Sequence, residues 1–106
     1  MSAFSAAINA IFRDPNMAVD AEYRSGGADP ATSVRVMRTV PDVMSEFNTG
    51  RYVAESVALD VRISEVETLE KGDTFTIGGE VFAVIGAPRR DSEGLIWKSE
   101  ARKNEV

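Results

Sequence analysis

The sequence predicts a mainly β fold, a small antiparallel β-barrel or sandwich of about six strands with one N-terminal helix and a long loop between strands 2 and 3. Three observations support this prediction. Several short runs alternate apolar and polar residues, which is the pattern of half-buried strands. A Gly78-Gly79 dipeptide separates two such runs, as in a two-residue hairpin. Apolar residues at helical spacing stand out only near the N-terminus.

The N-terminal helix is predicted over residues 3–12, within a helical segment that spans residues 1–14. Its apolar residues fall at i, i+3, i+4, i+7 and i+8 and therefore form one stripe: Phe4, Ala7, Ile8, Ile11 and Phe12. Asp14-Pro15 ends the helix, because a residue before proline is disfavoured in helical geometry. Two interpretations of the stripe are open. Phe4, Ile8 and Phe12 close one end of the barrel, or part of the stripe docks on a neighbouring subunit.

The first two strands follow the helix. Residues 17–24 alternate with period two, which places four apolar side chains inward: Met17, Val19, Ala21 and Tyr23. Residues 25–30 read as a turn, and residues 32–40 as the second strand. Its alternation slips at Met37-Arg38, where a bulge would let Val40 face the core again.

The connection over residues 41–55 is long for a compact domain, and connections of that length tend to be functional or disordered. It carries four large apolar residues: Val43, Met44, Phe47 and Tyr52. One interpretation is a small helix over residues 42–47 that packs on the core. The other is a flexible arm whose methionine and aromatic side chains anchor it to a partner, and proteases should then cleave it early in the free protein.

Residues 56–64 form the clearest strand, and a helical turn over residues 66–69 is expected to bury Val66 and Leu69. Gly72 then turns the chain, since glycine accepts a positive φ. Strands at 74–77 and 80–86 flank the Gly78-Gly79 hairpin. A polar loop at 87–94 leads to a closing strand at 94–99, with Leu95 and Trp97 inward. Residues 101–106 are expected to be a loose tail.

Composition restricts the possible functions. A chain of 106 residues predicts one domain over residues 1–106, with 43% hydrophobic and 27% charged residues as in ordinary globular proteins. The absence of cysteine and histidine removes disulfides, thiolate or imidazole metal sites and the common nucleophile arrangements. A net charge of −5 argues against a protein that coats nucleic acid. The N-terminus lacks the basic start of a secretory signal, so we expect it in the mature protein.

The charged clusters do not predict a catalytic residue, a cofactor site or a metal site. Four acidic residues lie on the predicted helical turn and corner, where we expect them to face water: Glu65, Glu67, Glu70 and Asp73. Asp91 and Glu93 offer too few oxygens for a metal ion. Arg89-Arg90 is the only pair of adjacent arginines, which is more typical of a solvated loop tip or a rim contact than of a nucleic-acid surface.

The order of features in the second half is more specific than any single feature. A strand leads into Val66-x-x-Leu69-x-x-Gly72-Asp73-Thr74-x-Thr76-Ile77-Gly78, then Glu80, Phe82 and Val84, a polar loop with Asp91 and Gly94, and Trp97. This order resembles the head-tail joining proteins of long-tailed phages, the lambda-type connector or stopper. The upstream helix, the Ser25-Gly26-Gly27 turn and the Val40-Pro41-Asp42 step are similar to that family's layout.

The resemblance implies a non-enzymatic virion protein that forms a cyclic ring, a hexamer or dodecamer, and is a monomer when free. Its partners would be the portal or adaptor of the filled capsid and the tail terminator, with DNA passing through without sequence-specific binding. It would lie in the virion neck, and in the host cytoplasm during assembly, without contacting a membrane. Interface candidates are Phe4, Ile8, Val43, Met44, Phe47, Tyr52, Arg89 and Arg90.

Two other functions stay open from the sequence. One is another phage-type structural or binding module, such as a tail completion or decoration protein. The other is an enzyme. The resemblance also leaves open whether the particle is an infectious phage, a prophage product or a gene transfer agent.

Overall fold

The fold was analysed in a computed structural model that describes residues 3–39 and 56–104. One helix, α1, spans Ala3–Arg13, and a short 3₁₀ turn spans Ser25–Gly27. The strands are β1 Val19–Arg24, β2 Thr32–Thr39, β3 Ser56–Arg62, β4 Thr74–Ile77, β5 Glu80–Val84, β6 Arg89–Arg90 and β7 Ile96–Lys103.

Six of the strands form a closed antiparallel barrel. They are ordered β3-β2-β1-β4-β5-β7, and β3 pairs with β7 to close the circle. The two-residue β6 pairs with β7 beside the end of β5. The predicted mainly β fold with one N-terminal helix is therefore confirmed. The connection between β2 and β3 lies outside the described residues, and with it the predicted arm at 41–55.

The barrel interior follows the alternation of the strands. Side chains from all six strands and from the corner before β4 form one buried cluster. Its largest fully buried side chains, each less than 2% exposed, are those of Phe75, Leu59, Val36, Val61 and Val84. Val66 and Leu69 are also buried, as predicted, but the helical turn comes earlier, since the Val66 N–H bonds to the Arg62 carbonyl oxygen.

The hairpin between β4 and β5 confirms the strongest turn prediction. Gly78 and Gly79 have φ of 59° and 87°, the two successive positive values of a type I′ turn. The flanking strands pair in register from Ile77 opposite Glu80 to Thr74 opposite Ala83. Gly72 also has the expected positive φ, 96°, at the corner before β4.

The start of β1 and the end of β2 differ from the prediction. Met17 is 49% exposed because it lies in a turn before β1, and Val19 is 40% exposed at the first position of that strand. The expected bulge in β2 is wrong as well, because β2 stays in continuous register with β3 from Val36 to Thr39. Arg38 points inward at the barrel end, where its guanidinium lies 5.1 Å from the centre of the Phe82 ring.

The C-terminal strand is longer than expected and begins later. It runs over Ile96–Lys103, so the predicted loose tail is wrong for residues 101–103. Ala101 is fully buried opposite Val57, and Asn104 still donates its N–H to the Val81 carbonyl oxygen. The polar loop predicted at 87–94 contains β6, which pairs with Trp97 and Lys98.

Candidate protein-protein interface

Helix α1 packs on the outer surface of the barrel. Arg35 and Arg62 alternate with the buried Val34, Val36 and Val61, and so their side chains leave the barrel wall on the outside. The Phe12 ring lies 5.2 Å below the Arg62 guanidinium and is fully buried, yet it is not part of the barrel's core cluster. The helix therefore covers one patch of β2 and β3 from the outside.

Arg35 fastens the C-terminal end of the helix. Its Nε donates to the Phe12 carbonyl oxygen at 2.9 Å, and its Nη2 donates to the Ala18 carbonyl oxygen at 3.0 Å. Its Nη1 also pairs with Asp20 at 2.9 Å. A cation at this end is favoured, because the carbonyl groups of the last helical turn carry partial negative charge.

Arg62 fastens the middle of the helix. Its Nη1 donates to Asn9 Oδ1 at 3.0 Å, and its Nη2 pairs with Glu65 at 3.1 Å. Glu65 Oε1 also accepts the Arg35 backbone N–H at 3.0 Å, which ties the two arginines together. Arg62 Nε is buried without a hydrogen-bond partner within residues 3–39 and 56–104. The other contacts of Arg62 therefore outweigh the free-energy cost of burying this N–H group without an acceptor.

The large apolar side chains of the stripe are buried to different extents, and Ile11, near the C-terminal end of the helix, is 36% exposed. Phe12 is fully buried, Ile8 is half-buried and Phe4 is 60% exposed. Ile8 lines a cleft of about 200 Å³ that also touches Gly94 and Leu95. The interpretation that the stripe closes a barrel end is therefore wrong. Phe12 packs on the outer face of the strands, and Phe4 remains in solvent.

A second polar cluster holds the corner before β4. Asp73 is only 3% exposed, contrary to the expectation that it faces water. Its carboxylate accepts the Tyr23 hydroxyl at 2.6 Å, the Gly26 N–H at 2.8 Å and the Glu70 N–H at 2.9 Å. Burial, followed by the hydrogen bond to Asp73, raises the pKa of Tyr23 to about 12. Three satisfied donors explain why this carboxylate can be buried.

The arginine pair, Arg89 and Arg90, forms the short strand β6. The Arg90 guanidinium lies 5.6 Å from the Trp97 ring centre. Asp91 Oδ1 accepts the N–H groups of Leu95 and Ile96 at 2.7 and 2.9 Å. Partial burial alone raises the pKa of Asp91, but backbone N–H donors, foremost that of Ile96, outweigh it and hold the pKa below its ordinary value.

The structure places the predicted interface residues in two regions. Phe4 and Ile8 lie on α1, and Arg89 and Arg90 lie on β6. Gly94 and Leu95, which follow β6 in the chain, line the same cleft as Ile8. Val43, Met44, Phe47 and Tyr52 lie outside the described residues. Sequence reasoning missed Arg35 and Arg62 as helix anchors. The sequence pattern that could have identified them is an arginine on the polar face of each strand, in a chain whose short helix needs a supporting surface.

The described part of the chain offers neither a group of three acidic side chains placed to hold a metal ion nor a helix able to span a membrane. The arrangement consists instead of a closed barrel, a helix attached at its middle and its C-terminal end, and an exposed apolar surface on that helix.

Comparison with known proteins identifies the family. The family model described as Phage Head-Tail Attachment protein matches residues 1–101. No curated protein matches the chain. The match covers nearly the whole chain and agrees with the resemblance carried by residues 66–97. This family is a structural one of the phage head-tail junction, not a family of enzymes. The chain is therefore a member of the phage head-tail attachment family.

Proposed function

We propose that this protein is a connector or stopper that forms a ring in the virion neck, between the portal or adaptor of the DNA-filled capsid and the tail. The observation that carries the proposal is the exposed apolar surface of α1 on a member of this family. Phe4 and Ile11 are 60% and 36% exposed, although the same helix is firmly attached near Asn9 and Phe12. Exposed apolar groups on a positioned helix suit contact with another protein.

The closed barrel supports association through side-chain surfaces. Each of the six barrel strands has a hydrogen-bonded neighbour on both sides, so the barrel does not recruit partners by adding strands to an edge. A rigid body with separate lateral surfaces is the unit that a cyclic ring requires. The proposed contacts are Phe4 and Ile8 on α1 and Arg89 and Arg90 on β6, together with Val43, Met44, Phe47 and Tyr52 outside the described residues.

Assembly on a template accounts for a protein that is a monomer when free. A single lateral contact of modest area does not offset the entropy lost on association. A preformed portal ring brings many copies to adjacent positions, which raises their effective concentration for one another. The net charge of −5 suits a channel through which DNA passes without being held.

Depletion followed by addition tests this function. Particles assembled without the protein should accumulate as DNA-filled heads and separate tails, and the purified protein should join them. Phe4→Asp should lose joining activity while it stays folded. Ala6→Asp is the matched control, because Ala6 lies in the same turn on the opposite side of the helix. Heads that join tails without the protein would refute the function, and so would full activity of Phe4→Asp.

A further inference from the structure

The two flanks of the barrel formed by β1 and β7 lie on opposite sides of the molecule. In the closed order β3-β2-β1-β4-β5-β7, strand β1 is three steps from β7 in either direction. In a six-stranded barrel, three steps correspond to half the circumference. Residues that point outward from β1 and from β7 therefore face away from each other.

The β1 flank is acidic. Asp20 and Glu22 alternate with the buried Ala21 and so point outward, with side chains 86% and 57% exposed. Both have pairs within the chain, because Asp20 Oδ1 accepts from Arg35 and Glu22 Oε1 lies 3.4 Å from Arg24. Those contacts leave the outer surface of both carboxylates in solvent. They line an open cleft of about 500 Å³ with Ser33 and the Gly78-Gly79 turn.

The β7 flank is mainly basic. Arg89 and Lys98 are direct partners across the β6–β7 pair and point outward, and Arg102 lies further along β7 on the same side. Among the described residues, the side chains of Arg89 and Arg102 have no ion pair or hydrogen bond. Arg89 and Lys98 line an open cleft of about 620 Å³ together with Asp60 and Glu100. Lys98 Nζ lies 3.7 Å from Asp60 Oδ2 and remains 51% exposed.

We propose that the acidic β1 flank of one copy docks on the basic β6–β7 flank of the next copy. This proposal rests on the ring assembly proposed above and assigns the lateral contact within it. Two different surfaces on opposite sides of one molecule make a heterologous contact, which can propagate into a closed ring. Opposite charges favour this pairing and disfavour contact between two identical flanks.

The alternative ligand for the basic flank is DNA, through its phosphate groups. Asp60 and Glu100 lie in the same cleft as Arg89 and Lys98, and their carboxylates would repel phosphate. The two carboxylates on the β1 flank of a second copy belong to separate side chains. They can therefore contact the basic groups without lying against these two acids. The mixture of acidic and basic groups on each flank therefore favours a protein partner over DNA.

Cross-linking between introduced cysteines tests the contact, because the chain contains no cysteine of its own. Ser33→Cys lies on the acidic flank opposite Glu22, and Ala87→Cys lies in the basic cleft. Both positions are exposed and uncharged, so every proposed contact charge is retained. A short bis-maleimide should link Ser33→Cys to Ala87→Cys in mixtures, whereas each variant alone should not form dimers. The chain that carries both substitutions should give a ladder of multimers.

Thr68→Cys paired with Ala87→Cys is the matched control, because Thr68 is exposed on the corner before β4 and lines neither of the two clefts. Equal ladders from this pair would overturn the proposal, and so would efficient dimers of Ser33→Cys alone. High salt should suppress the specific ladder, since screening weakens contacts between exposed charges.

Charge reversal provides the second measurement. Arg89→Glu with Lys98→Glu should lower the yield of joined particles roughly tenfold or more, and Asp20→Lys with Glu22→Lys should do the same. Combining all four substitutions should restore much of the yield. A neck ring that forms normally with either pair reversed would overturn the assigned contact and leave the proposed function standing. Loss of DNA binding with intact rings would assign the basic flank to DNA.

Discussion

The barrel interior and helix α1 bury their apolar residues to very different extents. Phe75, Leu59 and Val61 are fully buried within the barrel, whereas Phe12 alone is fully buried among the stripe residues of α1. Buried polar groups accompany both regions, with Asp73 at the barrel corner and Arg62 under the helix. The barrel is thus complete within one chain, and the helix is only half supported by its own molecule.

A large loss of stability is expected at the barrel corner. Asp73→Ala leaves the Gly26 and Glu70 N–H groups without their acceptor. The Tyr23 hydroxyl keeps only its 3.2 Å hydrogen bond to the Thr68 carbonyl oxygen. Buried donors without partners cost about 1–3 kcal/mol each, and some will reach water, so we expect a loss of about 3 kcal/mol in the free energy of unfolding. Urea denaturation measures it, with Glu67→Ala on the same corner as the exposed control. A loss below about 1 kcal/mol would contradict this role.

The helix provides a matched pair of substitutions that tests the comparison directly. Phe12→Ala should lower the free energy of unfolding by about 3 kcal/mol, because a buried ring is replaced by a cavity. Phe4→Ala should change it by no more than about 0.5 kcal/mol, since Phe4 is mostly in solvent. Thermal unfolding of the free protein measures both. Equal losses would mean that the chain supports the whole stripe by itself.

A smaller effect is expected from alkaline titration. The pKa of Tyr23 is raised to about 12 in the folded protein, from an ordinary value near 10. The neutral phenol therefore adds stability that is fully present below pH 10 and is lost as the pH rises through 12. Solvent screening of the partly exposed ring limits the contribution to about 1 kcal/mol.

Stability curves of the wild type and Tyr23→Phe, measured by urea denaturation between pH 9 and 12, check this prediction. The difference between the two proteins should shrink as the pH rises through this interval. A difference in unfolding free energy that stays constant across this pH range would contradict the prediction, because ionisation of Tyr23 would then not affect stability.

The sequence predicted the barrel well where local patterns determine structure. Alternation located most strands within a few residues, and the Gly78-Gly79 turn fixed the register of β4 and β5. The sequence did not predict the positions of charged side chains whose partners are distant in the chain. Asp73 is buried because Tyr23 and Gly26, about 50 residues away, supply donors. Arg38 points inward because the Phe82 ring lies beneath it at the barrel end.

The position of the helix was also beyond the sequence pattern. An amphipathic stripe indicates that a helix needs a supporting surface but does not identify that surface. The support is the polar side of β2 and β3, where Arg35 and Arg62 follow the alternation expected of residues that face water. The longer β7 was missed for a similar reason, since Ala101 faces the core among charged neighbours with little apolar pattern of its own.

Electron microscopy of purified particles would locate the chain in the virion. We expect a closed ring of identical copies of this chain in the neck, each a barrel of the described fold, between the portal end of the head and the tail. Location of the chain on the capsid surface or at the distal end of the tail would refute the proposed ring, and so would a neck that lacks the chain.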